Sequence, residues 1–407
     1  MTRTSDKSRA ICLVGRLSIA ALFATLAGCA NMCATGTDRA SARAKEPAAA
    51  EFADDGGPTS GLPQNINVFG EINGNHSTAG FLVSEVGFQQ HTFTDEGFDS
   101  DVCVDSSGKW MVFASTRNSE HPGLYLQRVD GTAVTQLTSD GADDAYPVFS
   151  PDGKQIAFSS TRTGQWQIYV IDIDGHNATQ ITSGPSQSIH PSWSPDGNRL
   201  VYSSLGSRSG QWELWTVDLK TSEKRTIGNG LFPVWSPDRT HDRIAFQRAR
   251  QRGSRWFSLW TLDLMNGEAR RVTEVAVSAN AAIITPTWSP DGKRLAFTTI
   301  VQPARTTAGR MKGQTDIWTI DADGSNRQRL TDGRAANLTP YWAADGRVYF
   351  ISDRGGAECV WSVRGDMVKD TAIVKASNEK DSKEAKETKE SPAKEVVGST
   401  DNGEVGH

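Results

Sequence analysis

The sequence predicts an all-β protein, a six-bladed β-propeller made of four-stranded antiparallel blades. The first observation is a motif of the form Pro-x-Trp-Ser-Pro-Asp-Gly that recurs at intervals of roughly 42 to 54 residues. The second is that each copy is followed by segments that read as short strands, four to a repeat, the pattern of a propeller blade. The six copies begin and end at Val102–Gly108, Pro147–Gly153, Pro191–Gly197, Pro233–Asp238, Pro286–Gly292 and Pro340–Gly346.

Each motif predicts a hairpin. Pro in Ser-Pro-Asp-Gly presets φ for the first central position of a type I turn, and Gly takes the left-handed position that follows. An apolar strand comes after the turn, for example Ile156–Phe158. A third strand such as Ile168–Val170 and a short fourth strand ending in Leu-Thr, such as Arg329–Thr331, complete the blade.

The N-terminal part of the repeat region is predicted to close the ring. Residues 79–94 resemble the second half of a repeat without a first half, and Gln90–Thr94 aligns with Ala178–Thr182. The last repeat lacks a clear fourth strand, so pairing the segment 88–94 with it removes a free sheet edge. Met367–Val374 is the alternative closing strand.

The ends of the chain differ in composition from the repeats. Residues 1–28 have a basic start and an apolar stretch typical of a signal peptide. Leu26-Ala-Gly-Cys29 resembles the bacterial lipoprotein signal box, which implies lipidation of Cys29 and an anchor at the periplasmic face of the outer membrane; the alternative is an ordinary signal peptide with a chance cysteine. We interpret 29–78 as a flexible low-complexity tether, 79–366 as the propeller and 367–407 as a charged, disordered tail.

The repeats as a whole resemble the WD40-like repeat of the TolB propeller family, over roughly residues 87–363. Proteins of that type have a six-bladed, periplasmic, non-enzymatic propeller that binds partners, notably a peptidoglycan-associated outer-membrane lipoprotein. The resemblance therefore implies a protein-binding module or scaffold in the cell envelope. This sequence departs from TolB itself, which has an α/β domain before the propeller where this chain has only the tether.

Repeat-fixed residues are interpreted as structural. Tryptophans recur in two slots and are expected to pack between blades; they are Trp193, Trp235, Trp288 and Trp342 in one slot and Trp215, Trp260, Trp318 and Trp361 in the other. The turn aspartates offer one carboxylate each, too few for calcium, so neither a metal nor a cofactor is predicted. Cys103 and Cys359 are expected to be buried thiols, because strands one and three lie too far apart for a disulfide.

The channel mouth is the predicted partner-binding surface. The residue before the repeat Pro varies from blade to blade, unlike the Trp slots, and variation where packing is equivalent points to surface chemistry. With their neighbours, the candidate residues are Asp99, Asp101, Asp143, Asp144, Tyr146, His190, Phe232, Asn280 and Asn337. Thr285 and Thr339 fill the varied slot in the last two repeats. Plain solvent-exposed loops are the alternative.

Two insertions on the same face predict a basic rim that would suit an envelope protein or an anionic glycan. Its residues are Arg248, Arg250, Arg252, Arg255, Arg305, Arg310 and Lys312. Arg117, Arg162 and Arg354 recur at one corner of a blade and are interpreted as intra-blade pairing residues instead. A solvated pair of basic loops is the alternative interpretation of the rim.

Little in the sequence points to catalysis. The chain has no nucleophile elbow, metal-binding His pair or phosphate loop, and its net charge of −5 does not indicate nucleic-acid binding. We therefore predict a lipid-anchored, non-catalytic envelope propeller. The competing hypothesis is a carbohydrate-binding or polysaccharide-lyase-like propeller that acts on an anionic glycan.

Overall fold

The computed structural model describes residues 87–94, 96–249, 257–278, 281–301 and 314–366. These residues form 24 strands and no helix, so none of them belongs to a helix that could cross a membrane. In chain order the strands are β1 (Gln89–Gln90), β2 (Asp99–Val104), β3 (Trp110–Ser115), β4 (Gly123–Arg128), β5 (Val134–Gln136), β6 (Asp144–Phe149), β7 (Gln155–Ser160), β8 (Gln167–Asp172), β9 (Thr179–Gln180), β10 (Ser188–Trp193), β11 (Arg199–Leu205), β12 (Trp212–Asp218), β13 (Lys224–Asn229), β14 (Leu231–Trp235), β15 (Arg243–Ala249), β16 (Phe257–Met265), β17 (Glu268–Ala276), β18 (Ala281–Trp288), β19 (Arg294–Val301), β20 (Gln314–Asp321), β21 (Gln328–Arg329), β22 (Asn337–Trp342), β23 (Arg347–Ser352) and β24 (Cys359–Arg364).

The strands form six antiparallel sheets of four, which confirms the predicted six-bladed propeller. Blades 1 to 5 are β2–β5, β6–β9, β10–β13, β14–β17 and β18–β21, each in sequence order, and blade 6 has the order β22-β23-β24-β1. The first strand of each blade is the innermost, so β2, β6, β10, β14, β18 and β22 surround the central channel.

The Ser-Pro-Asp-Gly turns have the predicted chemistry. In blade 2 the Gly153 N–H donates to the Ser150 carbonyl at 2.9 Å, and the Ser150 hydroxyl donates to an Asp152 carboxylate oxygen at 2.6 Å. Gly153 has a φ of 70°, which costs a residue without a Cβ atom little. The Asp carboxylates are therefore used inside the turns, as expected.

Neighbouring blades pack through the inner tryptophan slot. All four of its tryptophans are buried. The Trp193 indole N–H donates to the Val148 carbonyl of the preceding blade at 3.1 Å, and Trp288 does the same to Val234 at 3.1 Å. These residues join one blade to the next, which confirms that their slot is structural. Trp215, Trp260 and Trp318 of the other slot are half-buried against the same clusters, and Trp361 is half-buried in β24.

The N-terminal strand closes the ring, as predicted. Strand β1 pairs antiparallel with β24, with Gln89 opposite Ser362 and Gln90 opposite Trp361. The first strand of the described chain thus supplies the fourth strand of blade 6. The alternative closing segment, Met367–Val374, lies outside the described residues.

The alignment predicted for this closing segment was wrong by two residues. Thr92, not Thr94, is equivalent to Thr182, because the Val360 N–H donates to the Thr92 hydroxyl just as the Ile168 N–H donates to Thr182, both at 2.8 Å. His91 consequently occupies the position that leucine or isoleucine holds in other blades. The sequence could not fix this register, because no first half of a repeat precedes the segment.

His91 joins three parts of the seam. Its Nε2 lies 2.7 Å from the Ser362 hydroxyl of blade 6, and its Nδ1 lies 3.1 Å from the Val129 carbonyl of blade 1. Its ring lies 4.9 Å from the ring of Tyr349. Burial lowers the pKa of His91, which favours the neutral imidazole.

The two cysteines of the propeller are free and buried, as expected. Burial raises the pKa of the Cys103 thiol to about 12. A thiol in that environment stays protonated and unreactive at neutral pH.

Candidate functional site

Every inner strand has the same irregularity. The strand registers shift between the residue before the varied slot and the second residue after it, for example between Ala145 and Val148 in β6. A Pro follows the slot in five of the six blades and has no N–H to donate to the ladder, so the pairing is interrupted there. The result is a β-bulge at one level of all six blades.

All six slot residues adopt a left-handed backbone conformation. Their φ angles are 53° for Asp101, 55° for Tyr146, 56° for His190, 52° for Phe232, 47° for Thr285 and 48° for Thr339. This conformation is unfavourable for residues other than glycine and most of all for β-branched ones. Strained positions that recur at one level of a channel point to a functional site.

The bulges place the six slot residues around one cavity of about 140 Å³ in the central channel. We call this set the channel ring; in order around the propeller it comprises Asp101, Tyr146, His190, Phe232, Thr285 and Thr339. The structure therefore brings together four of the residues predicted as partner-binding. It also adds the two threonines, which sequence analysis placed in the slot without proposing a role for them.

An aromatic stack fills one side of the ring. The His190 imidazole lies between Tyr146, at a centroid distance of 3.7 Å, and Phe232, at 4.2 Å. Trp166 adds a further ring 6.4 Å from Tyr146. Burial lowers the pKa of His190 to about 3, so the imidazole is neutral at physiological pH. The threonines of blades 5 and 6 line the same cavity with smaller side chains.

Asp101 carries the charge of the ring. Its side chain is partly accessible because it faces the channel. Burial nevertheless raises the pKa of its carboxyl to about 6, although hydrogen bonds with the Ser100 side chain and the Tyr146 backbone offset part of that effect. Near neutral pH the ring thus holds one carboxylate beside neutral aromatic groups.

Three other predicted binding residues have partners within their own blades. Asp99, Asp144 and Asn337 are buried at the start of their strands. Asp99 accepts a hydrogen bond from Arg117 at 2.8 Å, which confirms the interpretation of that arginine as a pairing residue. Arg162 contacts Asp144 at 3.4 Å, and Arg354 donates to the Asn337 amide oxygen at 2.8 Å. These buried side chains bind residues of their own blades and are not available to contact a partner.

Asp143 is accessible and lies at the loop end of blades 1 and 2. Its carboxylate lies 2.8 Å from Nδ1 of His121, and both side chains are largely exposed, at 40% and 56%. His121 also lines a polar cleft of about 240 Å³ together with Asp140 and Gln136. Asp143 is thus a predicted partner-binding residue that lies exposed on the loop face, next to His121.

The predicted basic rim lies almost entirely outside the described residues, as does Asn280. The exception is Arg248, whose guanidinium lies 5.7 Å from the centre of the Trp260 ring. Across the described ranges, no three His, Cys, Asp or Glu side chains are grouped so that they could hold a metal ion. The candidate site therefore consists of the channel ring and the described loops around it.

The chain belongs to the TolB β-propeller domain family, which matches residues 97–238, 166–303 and 230–390. A Tol-Pal system protein TolB of Anaeromyxobacter dehalogenans is 32% identical over 137 residues, 33% of this chain and 27% of that protein. A dipeptidyl-peptidase 5 of Porphyromonas gingivalis is 34% identical over 70 residues, 17% of this chain and 10% of that protein. This chain thus matches only about a quarter or less of the length of these curated relatives.

Among solved structures, that of a putative TolB from Agrobacterium tumefaciens is similar, with a TM-score of 0.49 and 21% identity. The similarity covers 66% of this chain and 90% of that chain. The family membership rests on the repeats, and the repeats occur both in a TolB and in a peptidase. The channel ring, not the fold, must therefore carry the argument about function.

Proposed function

We propose that this protein is a non-catalytic binding module of the cell envelope, which docks a protein partner at the loop face of its propeller. The observation that carries the proposal is the channel ring, in which six residues of five different types have a strained backbone conformation and line one cavity. Lipidation at Cys29 would hold the module at the periplasmic face of the outer membrane. A peptidoglycan-associated lipoprotein, the partner that the family resemblance implies, is the first candidate.

The chemistry of the ring supports binding over catalysis. His190 is neutral and held between two aromatic rings, which leaves it poorly placed to exchange protons with a substrate. Asp101 is the ring's only carboxylate, whereas acid–base catalysis with carboxylates generally uses a second titratable group whose pKa differs. Of the described residues, no cluster is suited to metal-assisted chemistry.

The same chemistry disfavours an anionic glycan at the ring. A carboxylate and the electron-rich faces of aromatic rings repel negative charge. Within the described ranges, no arginine or lysine lines the cavity. The ring is thus better suited to a neutral or cationic group of a protein partner.

The test is capture from solubilised envelope with the wild-type full chain and three variants of it. One carries Tyr146→Ala and Phe232→Ala in the channel ring, and a matched control carries Asp174→Ala and His176→Ala. The control changes exposed residues in the turn between β8 and β9, at the opposite end of the blades. A third variant changes His121 and Asp143 of the loop face to alanine, and it replaces the same residue types, His and Asp, as the control does.

Captured proteins are identified by mass spectrometry, and binding to the purified candidate is then measured by calorimetry. We expect the control to bind like the wild type and the ring and loop-face variants to lose most of the binding. Equal binding by all forms would show that the loop face does not dock the partner.

A further inference from the structure

We propose that the channel ring binds an organic cation, a primary ammonium group, between the Asp101 carboxylate and the Tyr146 ring. The inference deepens the proposed docking function and rests on it for the source of the cation, which would be a lysine side chain of the partner. A free small amine has the same chemistry, and the experiment below distinguishes the two.

Asp101 differs from three other acidic residues of the inner and third strands, which have arginine partners. Asp99 and Asp144 are paired with arginines of their own blades, and Asp316 is paired with Arg329 at 2.8 Å. Across the described ranges, no cationic side chain forms an ion pair with Asp101. A carboxylate within a protein needs compensation for its lost hydration, and here the compensating charge is missing.

The surroundings of Asp101 favour an organic cation over a metal ion. Tyr146 donates its backbone N–H to the Asp101 carboxyl, and its aromatic side chain lines the same cavity. Aromatic faces attract ammonium groups, and more strongly when water is excluded. A divalent metal ion would need several oxygen ligands from the protein, and no group of three potential ligands occurs in the described part of the chain.

The size of the cavity limits what can enter. Its volume of about 140 Å³ is close to that of an engineered cavity that holds one benzene molecule. A lysine side chain or a small alkylamine is of that size, whereas a folded segment or a sugar chain is larger. The ring is therefore a pocket for one side chain, around which the loop face can make the wider contacts of a docked protein.

The experiment titrates the intact protein with n-butylammonium, which reproduces the lysine side chain, and with 1-butanol as its neutral counterpart. Binding is followed by ligand-observed NMR up to roughly 100 mM, because so small a probe binds in the millimolar range. The proteins are the wild type, Asp101→Asn and the control Asp174→Asn. Circular dichroism confirms that each is folded.

We expect n-butylammonium to bind the wild type and the control more tightly than 1-butanol does. Asp101→Asn is expected to weaken binding of the amine at least about tenfold, because it removes a charge-assisted hydrogen bond. No binding of the amine to the wild type, or equal binding to wild type and Asp101→Asn, overturns the inference.

The capture assay with Asp101→Asn separates this inference from the proposed function. Loss of both the amine and the captured partner supports a lysine of the partner as the natural cation. If Asp101→Asn loses amine binding but still captures the partner, the natural ligand is a free small amine, and other residues dock the partner. If the amine binds through Asp101 but the wild type captures no partner, the docking proposal fails and the cation site stands.

Discussion

Replacing Asp101 with asparagine is expected to stabilise the protein above about pH 6. Asparagine has the shape of aspartate and can keep the hydrogen bonds with Ser100 and the Tyr146 backbone, but it carries no charge. The wild-type carboxyl must ionise in the channel at neutral pH, and that ionisation is less favourable there than in the unfolded chain.

The direction and size of the effect follow from the pKa. Burial raises the pKa of Asp101 from an ordinary value of 3.8 to about 6. A carboxyl whose pKa is higher in the folded state stabilises the fold below its unfolded pKa, and this contribution is lost as the pH rises through the folded value. The difference corresponds to about 3 kcal/mol, which is an upper limit because water in the channel also solvates the carboxylate.

Urea unfolding followed by tryptophan fluorescence at pH 4 and pH 7.5 measures the effect. The difference between Asp101→Asn and wild type is expected to be at most about 0.5 kcal/mol at pH 4 and to reach about 1–3 kcal/mol in favour of the variant at pH 7.5. Asp174→Asn, in an exposed turn, serves as the control. A difference that does not change with pH, or a variant less stable than wild type at pH 7.5, would refute the reasoning.

Three further predictions concern the frame around the site. His91→Leu is expected to reduce the loss of stability in acid. A buried neutral histidine with a lowered pKa favours folding above pH 6.5, and this contribution is lost as the pH falls. Urea midpoints at pH 7.5 and 5.5 measure the effect, and an unchanged acid sensitivity would contradict it. Thr92→Val and Thr182→Val each leave a buried N–H unsatisfied and are expected to lower the free energy of unfolding by about 1–3 kcal/mol, measured by urea unfolding. A negligible loss of stability at Thr92 would show that β1 is not paired with β24. Arg117→Ala leaves Asp99 buried without its partner and is expected to cost about 3–5 kcal/mol, against less than about 1 kcal/mol for the exposed Arg128→Ala in the same thermal or urea assay.

Much of the architecture could be predicted because the repeat encodes local physics six times. The turn in Ser150–Gly153 depends only on its own residues, and the spacing of the turns leaves room for four short strands. The buried Trp slots follow in the same way, since a large apolar side chain at a fixed place in every blade has nowhere to pack except against the next blade. These features depend only on contacts within one blade or between neighbouring blades, which the repeats encode in the same way each time.

Closure of the ring by the N-terminal segment could be predicted, but the register of β1 could not, because it depends on contacts between distant parts of the chain. Strand β1 pairs with a strand some 270 residues later, and a segment that stands alone in the sequence carries no marker of its register. The partners of Asp99 and Asp144 raise the same difficulty. Sequence analysis assigned the arginines to pairing and the acidic residues to binding, yet in the structure they form the same pairs.

The conformation of the channel ring explains why its side chains are informative. Glycine would relieve the left-handed strain at all six positions, and none of the six is glycine. The side chains must therefore contribute something that a glycine cannot. For Tyr146, His190 and Phe232 that contribution includes filling the channel, because they stack on one another. Asp101 neither stacks nor forms an ion pair with a described residue. Its hydrogen bonds with Ser100 and the Tyr146 backbone leave the negative charge without a counter-charge, which a bound cation would supply.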